Sequence, residues 1–267
     1  MEALRPAAMA GTFYPGNTAT LRGALAALLG EVQPCADARR PKAIIAPHAG
    51  YAYSGSVAAR AYARLNAAAP AVTRVVLVGP AHRTPLRGLA LPGARAFATP
   101  LGLVDVDGEA VAHAMRMGIP HDIGAHAFEH SLEVQLPFLQ HALRGFTLVP
   151  LLVGLAGADE VAEILDALWG GPETLIVVSS DLSHFLPHDS AQKTDLQTAQ
   201  AILALEGKLT PHQACGAYAV NGFLRIARRR ALAPNLLDLH NSGETGGDPA
   251  RVVGYGSFAF FEEQGNA

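Results

Sequence analysis

Ala43-Ile44-Ile45-Ala46-Pro47-His48-Ala49-Gly50-Tyr51-Ala52-Tyr53-Ser54-Gly55 is the stretch on which the fold turns. Ala43 to Ala46 is a short apolar run of the kind that forms a buried strand. Pro47 restricts Ala46 to extended backbone, and Gly50 and Gly55 permit tight backbone near the imidazole. Ser56 to Tyr62 reads as a helix opened by a serine cap and running to about Ala69. His48 therefore stands between a strand and a helix, and open α/β sheets bind ligands outside the carboxyl ends of their strands. Taken alone, the loop reads more readily as an ordinary strand-to-helix turn with a surface histidine.

The design recurs. Thr73-Arg-Val-Val-Leu-Val-Gly79 is nearly continuous in β-branched residues and leucine, as in a strand covered on both faces. It leads into Pro80-Ala81-His82. Thr174-Leu-Ile-Val-Val-Ser-Ser180 leads in the same way into Asp181-Leu182-Ser183-His184. If these strands are parallel, His48, His82 and Asp181 with His184 meet at one edge of the sheet. Two histidines and one anionic group, with positions left open, is the donor logic of non-haem Fe(II) oxygenases and of catalytic zinc.

The rest of the chain fits an α/β alternation. Helices are expected over Thr18–Leu29, from Gly108 to Met117 behind an Asp107 cap, from Ser131 to Leu143 with Pro137 early in it, and over Asp159–Trp169, 190–206 and 211–231. Ser131-Leu132-Glu133 resembles a capping box one residue short, and Cys215-Gly216 falls near the start of the last helix. Further strands are expected near Gly88–Leu91 and Gly102–Val106, over Phe146–Val153, and at Leu236–Leu239 and Arg251–Phe261, the last antiparallel or at an edge. Asn241 to Asp248 reads as a flexible polar loop. His121, His126, His188, His212 and His240 read as surface histidines, and Cys35 as an incidental exposed thiol.

The chain has 267 residues, half of them hydrophobic and 16% charged, with a net charge of −3. This favours one large α/β domain and argues against a nucleic-acid partner. The two cysteines make no disulfide framework. No apolar run approaches the roughly 20 residues of a membrane span, and the start carries no signal-peptide pattern, so a cytoplasmic location is expected.

Ala10-Gly11-Thr12-Phe13-Tyr14-Pro15, Pro47-His48-Ala49-Gly50-Tyr51, Gly79-Pro80-Ala81-His82, Glu129-His130-Ser131-Leu132-Glu133-Val134-Gln135, Ser179-Ser180-Asp181-Leu182-Ser183-His184 and Cys215-Gly216 together strongly resemble the Memo family, whose bacterial and archaeal members are called AmmeMemoRadiSam system protein B. The resemblance covers residues 8–261 and implies a single Memo-like domain. It implies a three-layer α-β-α fold with a mixed, mostly parallel central sheet, similar to the LigB-like class III extradiol dioxygenases. It implies a metal site on His48, His82 and Cys215, with His184 as an acid/base group. Asp181 could orient an imidazole or cap a helix, and Glu129 and His130 could line the pocket or merely open a helix; with His184, Asp181 and His130 are the catalytic candidates. Fe(II) is the expected ion, with copper or zinc as alternatives, because a thiolate in the place of a carboxylate is softer and can be oxidised. Two functions are expected to compete: a metal-dependent redox enzyme, and a non-catalytic module binding a peptide or metal ion in the same pocket. The family name also implies radical SAM and AmmeCR-type partner proteins.

Overall fold

A computed structural model of the chain describes residues 4–33, 39–65 and 72–262. Cys35 lies outside them. In chain order the elements are α1 (Thr18–Gly30), β1 (Ala43–Ala46), α2 (Tyr51–Tyr62), β2 (Arg74–Pro80), β3 (Leu89–Ala90), β4 (Ala96–Thr99), β5 (Gly102–Asp105), α3 (Gly108–Arg116), α4 (Ile123–Ala127), α5 (His130–Glu133), α6 (Leu136–Ala142), β6 (Thr147–Val153), α7 (Ala158–Ala167), β7 (Thr174–Ser179), β8 (His184–Leu186), α8 (His188–Leu203), α9 (Ala217–Arg229), β9 (Ala233–Asn241) and β10 (Val252–Phe261).

The main sheet has eight strands in the order β3-β6-β2-β7-β1-β10, with β8 and β9 both paired to β10. β6, β2, β7 and β1 run parallel, whereas β3, β8, β9 and β10 add antiparallel edges. The central strands alternate strictly between two cores. Ile45, Val76, Val78, Val149, Leu151, Ile176 and Val178 face α7, α8 and α9. Ile44, Val75, Leu77, Leu148, Leu152, Leu175 and Val177 face α1, α2 and α6. Both faces are covered, which is why these strands read as continuous apolar runs and not as polar alternation. The architecture is the expected mixed, mostly parallel sheet between helical layers.

Several local expectations give way. α2 opens at Tyr51, not Ser56, because Gly50 supplies its cap and the Tyr51 N–H is taken by Phe13 O at 2.8 Å. Cys215 precedes α9 instead of lying within it, and Gly216 is the N-cap. Helix 131–143 is two short helices, the second carrying Pro137 in its first turn, where a missing N–H costs nothing. The cap of α5 is Glu129, not Ser131. β4, absent from the sequence reading, pairs with β5 as a separate hairpin. Part of the 241–248 loop is a 3-10 turn over Ser242–Thr245, capped by Asn241. Asp107 caps α3 as expected, accepting the Ala110 N–H at 2.9 Å. Among the described residues, no helix is long and apolar enough to cross a membrane.

Candidate metal centre

β7 lies between β1 and β2, so the carboxyl ends of three parallel strands stand side by side. His48 is two residues past β1, His82 two past β2, and Asp181 two past β7. The fourth contributor comes from outside the sheet. Ser131 at the start of α5 donates its hydroxyl to Pro80 O at 2.7 Å, which seats the helix on the end of β2. Gly79 makes the approach feasible, since a Cβ there would lie 3.0 Å from Leu132 Cδ2 and 3.2 Å from both Ser131 Oγ and Ser179 Cβ. The seated helix presents His130.

The rings of His48, His82 and His130 lie 5.2, 5.3 and 4.5 Å apart, centre to centre. One nitrogen from each falls within 4.8 Å of the other two. Ligand nitrogens at about 2.0–2.1 Å from one ion would be roughly 3.4 Å apart in a tetrahedron, so small ring rotations close the gap. His48 is buried, His130 half-buried and His82 exposed, so the cluster opens toward solvent on the His82 side.

Glu129 organises the exposed half. Its Oε2 accepts the His82 backbone N–H at 2.5 Å, and its Oε1 lies 2.9 Å from His82 Nδ1. Oε1 also accepts the Ser131 N–H at 2.9 Å. Burial opposes ionisation of this carboxyl, but its contacts with His130, His82 and the Ser131 N–H outweigh that and hold its pKa far below the usual carboxylate range. An ionised carboxylate accepts only, so His82 carries its proton on Nδ1 and leaves Nε2 free. His130 Nδ1 lies 3.1 Å from the same Oε1 but makes no aligned hydrogen bond, leaving a buried ring nitrogen without a hydrogen-bond partner.

His48 is fixed at backbone and ring. Its N–H donates to Asp181 Oδ1 at 2.7 Å, Nδ1 lies 2.8 Å from Ser179 Oγ, and Nε2 lies 3.3 Å from Cys215 Sγ. Burial first, then the neighbouring His82 and His130 rings, hold its pKa well below the ordinary histidine value, so the imidazole is neutral. Burial and the adjacent Asp181 push the Cys215 thiol up. Burial also raises Asp181, against the pull of His184 and the His48 N–H. A cation in the cluster would reverse the direction for the thiol, since metal ligands are bound deprotonated.

The expected ligands thus come to one place: His48 and His82 within the cluster, Cys215 against the free edge of His48. Asp181 accepts the His48 backbone N–H through its carboxylate and the Cys215 N–H through its carbonyl, at 3.2 Å. It holds the loops that carry two candidate ligands, and neither imidazole orientation nor a helix cap describes it. His130, expected as a pocket residue, stands inside the three-histidine group. His184 is half-buried, and its Nδ1 lies 2.9 Å from Leu182 O. A carbonyl only accepts, so Nδ1 carries the proton and Nε2 is the free nitrogen. Phe185, the next residue, has φ +61°, an uncommon value for a side chain of that size.

Of the histidines expected at the surface, His212 and His240 are exposed, His121 and His188 are half-buried, and His126 departs from the expectation altogether. His126 is buried, with Nε2 3.1 Å from Ala90 O, because α4 is folded under the N-terminal segment. That segment also carries a network the sequence reading missed. Arg5 pairs with Glu133 at 2.6 Å and donates to Glu129 O at 2.7 Å and His126 O at 2.7 Å. Glu133 further accepts the Tyr14 hydroxyl at 2.6 Å and the Met9 and Ala8 N–H groups. The network pins residues 5–14 to the helix that presents His130.

The three histidines are placed so that they could hold a metal ion. Three imidazoles lie together at the mouth of the sheet with a thiol against one of them, a buried carboxylate orients another, and the buried His130 Nδ1 makes no aligned hydrogen bond.

The comparisons with known proteins bear on family and fold. The family profile described as Memo-like protein matches residues 5–259. A MEMO1 family protein of Aquifex aeolicus is 36% identical, covering 94% of this chain and 97% of its own length. One from Archaeoglobus fulgidus is 32% identical, covering 96% and 99%. Among solved structures, an uncharacterized protein from Escherichia coli K12 superposes with a TM-score of 0.52 over 82% of this chain and 99% of its own, at 14% identity, which speaks to the fold alone.

Proposed function

The chain belongs to the Memo family, and from that premise we propose that it is a metal-dependent redox protein acting on a small molecule at the sheet edge. The observation that carries the reading is the convergence of His48, His82 and His130, with Cys215 Sγ 3.3 Å from His48 Nε2. His48 and His82 are the constant ligands. Cys215 is the third, and His130 competes with it for that position. A bound Fe(II) or copper ion would supply one-electron redox chemistry and polarise a ligand at its open positions.

The protein's own groups have separable tasks. Glu129 sets the His82 tautomer and provides negative charge against the cation. Asp181 fixes the His48 and Cys215 backbones. His184 moves a proton through Nε2, the nitrogen left free by Leu182 O. Radical SAM and AmmeCR-type proteins, implied by the family name, belong to the proposal as partners.

The test is X-ray absorption of anaerobically Fe(II)-loaded protein, with oxygen uptake followed in the presence of thiols and catechols. A sulfur scatterer lost in Cys215→Ser but kept in His130→Ala supports the assignment. A shell of nitrogen and oxygen alone in wild type moves the third position to His130. Metal bound without turnover of any such compound favours the binding-module reading.

A further inference from the structure

Ser179 closes β7 with its side chain fully buried, an unusual place for a hydroxyl unless every lone pair and proton is used. The bonds around it admit one arrangement of protons. Gln135 reaches Pro47 O at 2.9 Å and Ser179 Oγ at 2.8 Å with the same terminal atom, while its other terminal atom takes the Tyr62 hydroxyl at 2.6 Å. A backbone carbonyl cannot donate, so the atom facing Pro47 O is the amide nitrogen, and it donates to Ser179. Ser179 Oγ also lies 2.6 Å from Ser131 O, another carbonyl, so its single proton goes there. The hydroxyl then has only acceptor capacity left for His48 Nδ1, 2.8 Å away.

We infer that Ser179 is a positioning residue that locks His48 in the Nδ1–H tautomer, and that Gln135, held by Tyr62 and Pro47 O, keeps the hydroxyl in that orientation. Nε2 is thereby left as a lone pair facing Cys215 Sγ, 3.3 Å away. The Glu129 carboxylate does the same for His82, and both devices bond to Ser131, but the two rings are aimed by different chemistry: a neutral hydroxyl in the buried half, a charge in the exposed half. The tautomer assignment stands on the hydrogen bonds alone; its consequence for metal binding rests on His48 being a ligand.

The test is nitrogen NMR of the ring of His48 in metal-free protein, assigned by comparison with His48→Gln, together with Zn(II) affinity by competition with a chromophoric chelator. In wild type, Nδ1 should be protonated and Nε2 bare. In Ser179→Ala, the Nε2–H form should become populated, and Zn(II) should bind about 10–100-fold more weakly, as for other lost partners of ligating histidines. A protonated Nε2 in wild type overturns the inference whether or not the variant folds. So does Ser179→Ala with an unchanged tautomer. A correct tautomer with no Zn(II) binding in wild type would instead sink the metal reading and leave the lock intact.

Discussion

Glu129 holds His82 twice, through the backbone N–H at 2.5 Å and the ring Nδ1 at 2.9 Å, so loop position and tautomer depend on one carboxylate. Glu129→Gln keeps the shape but replaces an acceptor-only group with one that can present a donor, and it removes the charge. Metal affinity should fall about 10–100-fold, read by competition titration. Unchanged affinity would mean that Glu129 serves only as the cap of α5.

Arg5 and Glu133 are both buried and 128 positions apart in sequence. Removing one partner strands the other: Arg5→Met should cost about 3–5 kcal/mol, measured by urea unfolding. The double replacement Arg5→Met/Glu133→Gln should cost less than the sum of the single changes, because no uncompensated charge remains. A strictly additive cycle would contradict the pairing.

Burial lowers the His126 pKa to about 4, against a weaker opposing contribution from its bond with Ala90 O. The unfolded chain takes up this proton near the ordinary histidine value, while the folded chain resists until about pH 4. The contribution is therefore complete above about pH 6.5 and lost as pH falls toward 4, roughly 3 kcal/mol in all. In urea midpoints measured across that window, His126→Gln should show a shallower loss than wild type. Parallel curves would show that His126 is accessible to protons in the folded state.

Gly216 lies so close to the end of β7 that a Cβ would be 2.8 Å from Ser180 Cβ and Oγ and 3.0 Å from Ser179 O. Gly216→Ala should cost about 1–3 kcal/mol through overpacking and displace Cys215 from His48. The check is Tm together with the thiolate-to-metal charge-transfer band of Co(II)-substituted protein, which should weaken or shift. A full-strength band at unchanged energy would show that Cys215 does not depend on this approach.

The parallel strands were legible because sheets covered on both faces demand unbroken apolar runs, as in Val75–Val78 and Leu175–Val178. Their ends then located His48, His82 and Asp181. The helix starts were less legible: α2 and α5 are capped by Gly50 and Glu129, in response to a loop and a histidine distant in sequence. The Arg5–Glu133 pair has no local pattern at all. Gln135 and Ser179 did leave a trace, Gln135 as the single polar residue inside Val134–Phe138 and Ser179 as the first polar residue after the apolar run Leu175–Val178. Such residues must be hydrogen-bonded if buried, but the sequence does not say to what.

The most direct test of the metal centre is equilibrium dialysis of anaerobically purified protein against Fe(II) and Cu(I), wild type beside His48→Ala and His82→Ala, with circular dichroism confirming that each is folded. The account predicts one tightly held ion per chain in wild type and its loss in both variants. Folded wild type that retains no more metal than the variants would contradict it.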